Sequence, residues 1–511
     1  MIYDFIIIGD GSAGLGAFLA LENNNKKTLI LTVGKEIDDA TEKKIKFILD
    51  KDKNLKERNS VERIKRLSSN KFFPKKTQFG SDHMYENIVN NNLINLNSSY
   101  ASGGLTSIWG ASVLPYTKMQ IRDWEINYHE LKESYKFVER KFHKYFSNSN
   151  DEIKKIYKLD YKNNFFYKKE RSKIIYKNYL KNKKFIKKKN ISIGFSRLMI
   201  DKNCIGCGLC LYGCPYNYIF NTNHYLKRKT TNFQLKKNIK VIKFIEEKEK
   251  IKIRCLDLTN NKKINFFCKK LILASGVIET AKIIFKSTNK INKCVIKETQ
   301  FINYPILNFS KKKVEKSHSL SDIYINYNSS KNIKNNFFIQ IYEMNDYFKK
   351  FILEKIKMNF FKKFSNFLFN KLMIGNIYLD SEASDSVIMK KKRGKLKFKL
   401  VKNISKKNVI KNLFKKIKDI DSSLKIKSLS FFKIVHKFGE SHHLGCSFPH
   451  DKNNINRTDE FGRLKYFKNV HIVDASTFKS IPPNTITLTI IANAYRLTKK
   501  ILLDESYYNR L

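Results

Sequence analysis

The stretch YDFIIIGDGSAGLGAFLAL, Tyr3 to Leu21, decides the fold. Phe5 to Ile8 is an apolar run of the length of a buried parallel strand. It stops at Gly9-Asp10-Gly11-Ser12-Ala13-Gly14, and an apolar helical pattern begins at once. G-x-G-x-x-G between a strand and a helix is the context in which that spacing carries meaning. Gly9 makes the tight turn, Gly11 lets the backbone approach a pyrophosphate, and Gly14 lets the helix pack closely on the strand. The N–H groups from Ser12 onward, with the partial positive charge of a helix start, then face the phosphates. The spacing predicts a dinucleotide site, the alternative being a glycine-rich turn without function. Thr28 to Val33 reads as the second strand of the same unit, but Thr32 stands where a ribose-binding acid is expected and Glu36 comes late.

A chain of 511 residues has room for two or three domains, and 42% hydrophobic content fits a globular protein. The net charge of +55 suggests nucleic acid or an anionic membrane surface as partner. Its distribution argues otherwise. Residues 1–34 carry three acids and two lysines, and elsewhere lysine is spread among Asn, Ile, Phe and Tyr. A solvated surface is the simpler expectation. The N-terminal run lacks a basic leader and contains Asp4 and Asp10, unlike a secretory signal, and no run is long enough to span a bilayer. Four of eight cysteines crowd into residues 204–214 and the rest are scattered, which suggests a reducing, cytoplasmic setting.

That crowded segment, Cys204-Ile-Gly-Cys207-Gly-Leu-Cys210-Leu-Tyr-Gly-Cys214-Pro215, has the C-x2-C-x2-C-x3-C-P spacing of iron–sulfur ligands. A 4Fe-4S cluster is one reading; a cysteine-rich loop without metal is the other. Zinc sites usually separate their two C-x2-C pairs, so zinc fits less well. Ala101 to Gly110 (ASGGLTSIWG) suits a loop pressed against a flat cofactor, since glycine permits close approach. Residues 152–190 hold fifteen Lys/Arg against three acids, interleaved with Tyr157, Tyr161, Phe165, Phe166, Tyr176 and Tyr179. Single-stranded nucleic acid could use such a mixture, but helical spacing predicts a lysine-coated helix with a buried aromatic stripe.

Further on, Leu271 to Gly276 is a second buried strand ending in glycine, followed by a helix over Glu279 to Phe285. Residues 291–435 show strand-like alternation at Phe337 to Tyr342, Asn376 to Leu379 and Lys395 to Val401, and no motif. Near the end, His442-His443-Leu-Gly445 sets two histidines before a turn. On a strand only one of them could face a given site. Asn469 to Asp474 (NVHIVD) reads as a strand, and Ser480-Ile-Pro-Pro-Asn484 leads into a helix over Thr487 to Lys499.

The order GDGSAG, GGLTSIWG, LILASGVIE, HHLG and NVHIVDAS…PPN…TLTIIANA resembles the glucose-methanol-choline (GMC) flavin oxidoreductases. The resemblance is strong at the N-terminus and over 436–500, moderate at 101–126 and 271–285, and absent over most of 291–435. It implies a mixed α+β and α/β architecture: a discontinuous Rossmann-like FAD-binding domain (1–135, 196–290 and 436–511, carrying the cysteine loop 204–215), a basic helical insertion (136–195), and a mixed-sheet substrate domain (291–435). It implies FAD held by Gly9, Gly11, Ser12, Gly14 and Gly276, with Gly103, Gly104 and Thr106 along the isoalloxazine and Asp474 and Ser476 near the ribityl chain. It also places the active-site base on His442, with His443 as rival, and its partner on Asn484. Cysteine loops occur in long-chain alcohol oxidase and polysaccharide-linked members.

The function expected is oxidation of a CH–OH group of an alcohol or sugar, saccharide-linked ones included. Hydride would pass to flavin N5 while a histidine near neutral pKa takes the hydroxyl proton. Electrons would go on to a carrier protein or quinone, by way of a cluster at Cys204, Cys207, Cys210 and Cys214. Two rivals stand beside it: an oxygen-using alcohol oxidase with structural cysteines, and a basic nucleic-acid or membrane-surface binder on a non-catalytic flavin fold. Nucleic acid is the least expected partner; peripheral contact with the inner membrane surface is compatible with the charge.

Overall fold

The computed structural model describes residues 1–67, 85–159, 168–227, 232–310, 312, 317–329, 333–346, 348–349, 352, 369–451 and 453–508. Tyr161, Phe165 and Phe166 of the basic stretch lie outside the described residues.

The first sheet is built on the β-branched runs that sequence patterning favours for strands buried on both faces. Its order is Phe233–Lys236, Thr28–Leu31, Ile2–Ile8, Lys262–Leu273, Ile251–Asp257, Ile239–Glu246, with Val470–Ile472 also pairing Lys262–Leu273. Residues 262–273 change partners along their length. The later part runs parallel to Ile2–Ile8 and to Val470–Ile472, whereas the earlier part runs antiparallel to Ile251–Asp257. The parallel register sets Ile8 opposite both Leu31 and Leu273, and Leu273 opposite Ile472. Four strands therefore end together, and their carboxyl ends open one crevice, the place where such sheets bind ligands.

The helix Ser12–Leu21 lies against the last helix, Thr487–Tyr508. Gly16 makes the approach possible, because a Cβ there would stand 2.2 Å from the carbonyl oxygen of Ile491.

A second, antiparallel sheet runs Ile426–Ser428, Phe301–Asn308, Leu372–Leu379, Phe337–Glu343, Ile323–Tyr327, Ile191–Phe195. Its alternation explains its two faces. Phe337, Ile339 and Ile341 pack under the helices Lys406–Leu424 and Glu170–Lys181, with Leu413, Ile417 and Ile175. Phe338 and Tyr378 point the other way, into the core of the first sheet. A smaller antiparallel sheet, Lys395–Val401, Ser386–Lys392, Lys293–Glu298, Leu444–Gly445, joins the C-terminal segment to the strand ahead of the second sheet.

Among its described residues the basic stretch forms the short helices Glu152–Tyr157, Glu170–Lys181 and Lys183–Lys188. Tyr157 and Tyr179 are buried, but so are two of its cations. Lys169 pairs with Asp322 at 3.0 Å and Arg171 with Glu343 at 3.0 Å, so part of this charge anchors the segment to the second sheet. Among the described residues no helix is long and apolar enough to cross a membrane.

Candidate active site

A cleft enclosing about 1890 Å³, its open mouth included, lies at the strand ends. Gly9, Asp10, Gly11 and Ser12 line it from the first turn, Gly104, Thr106 and Trp109 from the glycine loop, Gly276 from the second strand-helix turn, and Asp474 from the C-terminal segment. Gly9 has φ +103°, and a Cβ on it would stand 2.5 Å from the carbonyl oxygen of Ala274. A Cβ on Gly14 would stand 2.0 Å from the carbonyl oxygen of Gly9, so this glycine serves helix–strand packing and not the cleft wall. Gly11 occupies the N-cap without a side-chain hydrogen bond, which leaves the first N–H groups of the helix to the cleft. A turn cleared of side chains beneath an open helix start fits an anionic diphosphate.

Two buried carboxylates brace this cradle. Asp10 accepts from Thr32 Oγ1 at 2.8 Å, Gly103 N at 2.9 Å and Ser102 Oγ at 3.3 Å, while its carbonyl oxygen accepts from Thr222 Oγ1 at 2.8 Å. Burial pushes the Asp10 carboxyl up, and the bonds from Gly103 and Thr32 oppose the rise. Asp474 accepts from Gly276 N at 2.9 Å, Thr280 Oγ1 at 2.6 Å and Ser476 N at 2.9 Å, fastening the C-terminal segment to the second glycine turn. Ser476 and Gly103 thus contribute backbone N–H groups to these carboxylates, and neither lines the cleft. Glu36 is also outside the lining. Its carboxyl is bonded by Lys227 at 2.8 Å and Lys237 at 2.9 Å, which hold it down to about 2 against the opposing effect of burial.

Both His442 and His443 line the cleft, contrary to the expectation that one at most would face it. That expectation assumed a strand, but the strand begins only at Leu444 and His442 has φ +58°. A left-handed residue changes the direction of successive side chains, and for a residue other than glycine it is uncommon. The His443 ring stacks on Tyr378 with centroids 4.9 Å apart and planes at 20°, and its Nδ1 lies 3.2 Å from Thr299 Oγ1. Tyr378, Gln340 and Tyr342, all from the second sheet, complete this end of the cleft. Sequence reading missed them, although their alternation signals a face of the sheet.

Asn484 does not line the cleft. Its Oδ1 accepts from Gln120 Nε2 at 3.2 Å and its Nδ2 donates to the Pro115 carbonyl at 3.2 Å, so the amide holds the 115–120 loop to the start of the last helix. The next residue, Thr485, is in the wall and accepts from Leu114 N at 2.7 Å.

The cysteine loop turns on three left-handed glycines, Gly206, Gly208 and Gly213. Cys214 Sγ accepts from Tyr218 N at 3.2 Å, and burial pushes the Cys207 thiol up to about 12. Cys204, Cys210 and Trp109 pack against the same small core of Ala111, Leu198, Ile200 and Leu320, and Trp109 also lines the cleft. Among the described residues no three His, Cys, Asp or Glu side chains gather into a group able to hold a metal ion. The expected cluster therefore gains no support from the positions of these thiols.

No family model matches the chain, and no curated protein matches its sequence. Among solved structures, the crystal structure of pyridoxine 4-oxidase from Mesorbium loti superposes with a TM-score of 0.62 at 10% sequence identity, covering 98% of this chain and 99% of that one. At this identity the likeness concerns the fold.

Proposed function

We propose that this chain is an FAD-dependent oxidoreductase of GMC type that oxidises a CH–OH group of an alcohol or sugar. The observation that carries the reading is a convergence. The glycine turn at Gly9–Ser12 and the histidine turn at His442–His443 line one cleft at the carboxyl ends of the parallel strands. The proposed division assigns 1–135, 196–290 and 436–511 to the cofactor and 291–435 to the substrate, with 136–195 as the basic insertion.

Gly9, Gly11, Ser12 and Gly276 would hold the diphosphate part of FAD, with Gly104 and Thr106 against its ring system, and the bound cofactor would supply the hydride acceptor. The rest is the work of this chain's own side chains. His443, clamped between Tyr378 and Thr299, suits an orienting role. His442, presented by its left-handed backbone, takes the hydroxyl proton of the substrate as general base. Gln340, Tyr342 and Tyr378 form the apolar and hydrogen-bonding wall against which the alcohol is placed. No electron-transfer step is assigned to the cysteine loop; the packing of Cys204 and Cys210 on the core of Ala111, Leu198, Ile200 and Leu320 supports a structural role. An oxidase is therefore the second reading, and hydrogen peroxide production separates it from a dehydrogenase.

The test is anaerobic purification with a visible spectrum, iron and acid-labile sulfide assays, then addition of primary alcohols, aldoses and pyridoxine. Flavin bands that bleach with one of these support the proposal. A protein without bound flavin, and unable to take up added FAD, overturns it. Stoichiometric iron and sulfide would return the cysteines to the electron path.

A further inference from the structure

Glu298 ends the strand that pairs with the histidine segment, in register with Leu444, and it is fully buried. Its Oε2 accepts two hydrogen bonds from the turn ahead of the histidines, from Gly439 N at 2.8 Å and from Ser441 Oγ at 2.8 Å. The Ser441 hydroxyl in turn accepts from His443 N at 3.1 Å. Gly439 has φ +97° and cannot carry a Cβ, which would stand 2.3 Å from the carbonyl oxygen of Asn95. The turn is thus pressed against the strand Asn95–Ser99 on one side and fastened to a single carboxyl oxygen on the other. The adjacent residue, Thr299, contacts the His443 ring. The other oxygen, Oε1, is buried without a hydrogen-bond partner among the described residues.

Resting on the flavin-oxidoreductase reading above, we propose that Glu298 is the positioning residue of this site, holding through Gly439 and Ser441 the turn that presents His442 and His443 to the cleft. It does so as a neutral acid. Among the described residues no cation pairs with it, and an ionised carboxylate buried without one is strongly disfavoured. The charged groups facing it are acids, Asp385 (itself bonded to Lys406) and Glu440 (bonded to His436 and Asn95). Burial foremost, then these acids, push its carboxyl up to about 8, against the bonds from Gly439 and Ser441. Above that pH the group ionises, and although Gly439 and Ser441 bond the anion more strongly, a buried charge without a counterion favours a rearrangement of the turn that brings the carboxylate to water.

Glu298→Gln keeps an acceptor for Gly439 and Ser441 and cannot ionise. Ser441→Ala removes a bond that favours the charged form, so ionisation should move to higher pH. Two readouts are taken on the holoenzyme: the rate of flavin reduction by an alcohol against pH, and ring resonances of His442 and His443 in histidine-labelled protein. The expected result is an alkaline fall near pH 8 in the native protein, displaced upward in Ser441→Ala and absent in Glu298→Gln. The histidine resonances should titrate in step with each. An alkaline limb unchanged in Glu298→Gln, or histidine resonances that do not follow Glu298, overturns the proposal. The resonances need no turnover, so they decide the role of Glu298 even where no alcohol reduces the flavin, a result that would count against the function alone.

Discussion

Thr32 donates its hydroxyl to the buried carboxylate of Asp10 at 2.8 Å. The position where a ribose-binding acid was expected is used to satisfy an acid in the turn before it. An aspartate at 32 would oppose Asp10 with like charge in a site where burial already pushes the carboxyl up. Thr32→Val, which strips Asp10 of this donor, should cost about 1–3 kcal/mol and reduce flavin retention. Thr32→Asp should cost at least as much and restore nothing. Thermal melts and the flavin-to-protein ratio check both.

Gly14→Ala and Gly16→Ala separate cofactor geometry from core packing. The first presses a methyl against the carbonyl of Gly9, the second against that of Ile491. Each overpacks by roughly 1–3 kcal/mol or more. Gly14→Ala should release flavin at temperatures where the protein is still folded, because the glycine turn must move. Gly16→Ala should lower the melting temperature with flavin release coincident. Flavin fluorescence followed alongside circular dichroism distinguishes them.

His442→Asn should slow alcohol-driven flavin reduction by about 10²–10⁴-fold, the usual worth of a general base. Thr299→Val should reproduce part of the loss in His443→Asn, since both disturb the same ring. Asn484→Ala should act differently. With its amide committed to Gln120 and Pro115, the change should cost stability of about 1–3 kcal/mol and leave the pH profile of reduction in place. Stopped-flow reduction rates across pH decide between these roles.

How much of this was legible beforehand follows from the range of the interactions. The first strand, the glycine turn and the last helix were readable because their signals are local, spacing and period. The role of Thr32 stayed open in the sequence because its partner, Asp10, lies in the turn after the neighbouring strand, a pairing that spacing along the chain does not report. The pairing of His442 and His443 was hidden by one backbone angle, which sequence patterning does not report. Tyr378 and Gln340 sit in a region without motifs, and only the pairing of Leu372–Leu379 with Phe337–Glu343 brings them to the histidines.

Stability should peak on the acid side of neutrality, although the sequence pI is about 9.9. Burial raises Asp380 from 3.8 to about 7 and Glu298 from 4.5 to about 8. Their contribution is complete below the unfolded values and is lost as pH rises through the folded ones. Burial lowers His450 from 6.5 to about 4 and His471 to about 3, so their contribution is present above 6.5 and is lost as pH falls. The melting temperature should therefore be highest between about 4.5 and 6.5 and decline on both sides. Asp380→Asn should flatten only the alkaline decline. A melting temperature still rising at pH 9 would contradict this.

The contact between Gly16 and Ile491 has a consequence for biosynthesis. The helix Ser12–Leu21 leaves the ribosome long before the surface it packs on in Thr487–Tyr508. At ordinary elongation rates the interval is on the order of a minute. For that time the face of the helix that meets Thr487–Tyr508 is uncovered, and two strands of the parallel sheet, Lys262–Leu273 and Val470–Ile472, arrive late as well. The cleft at the strand ends can therefore close into its final form only after Thr487–Tyr508 has emerged and packed on the first helix.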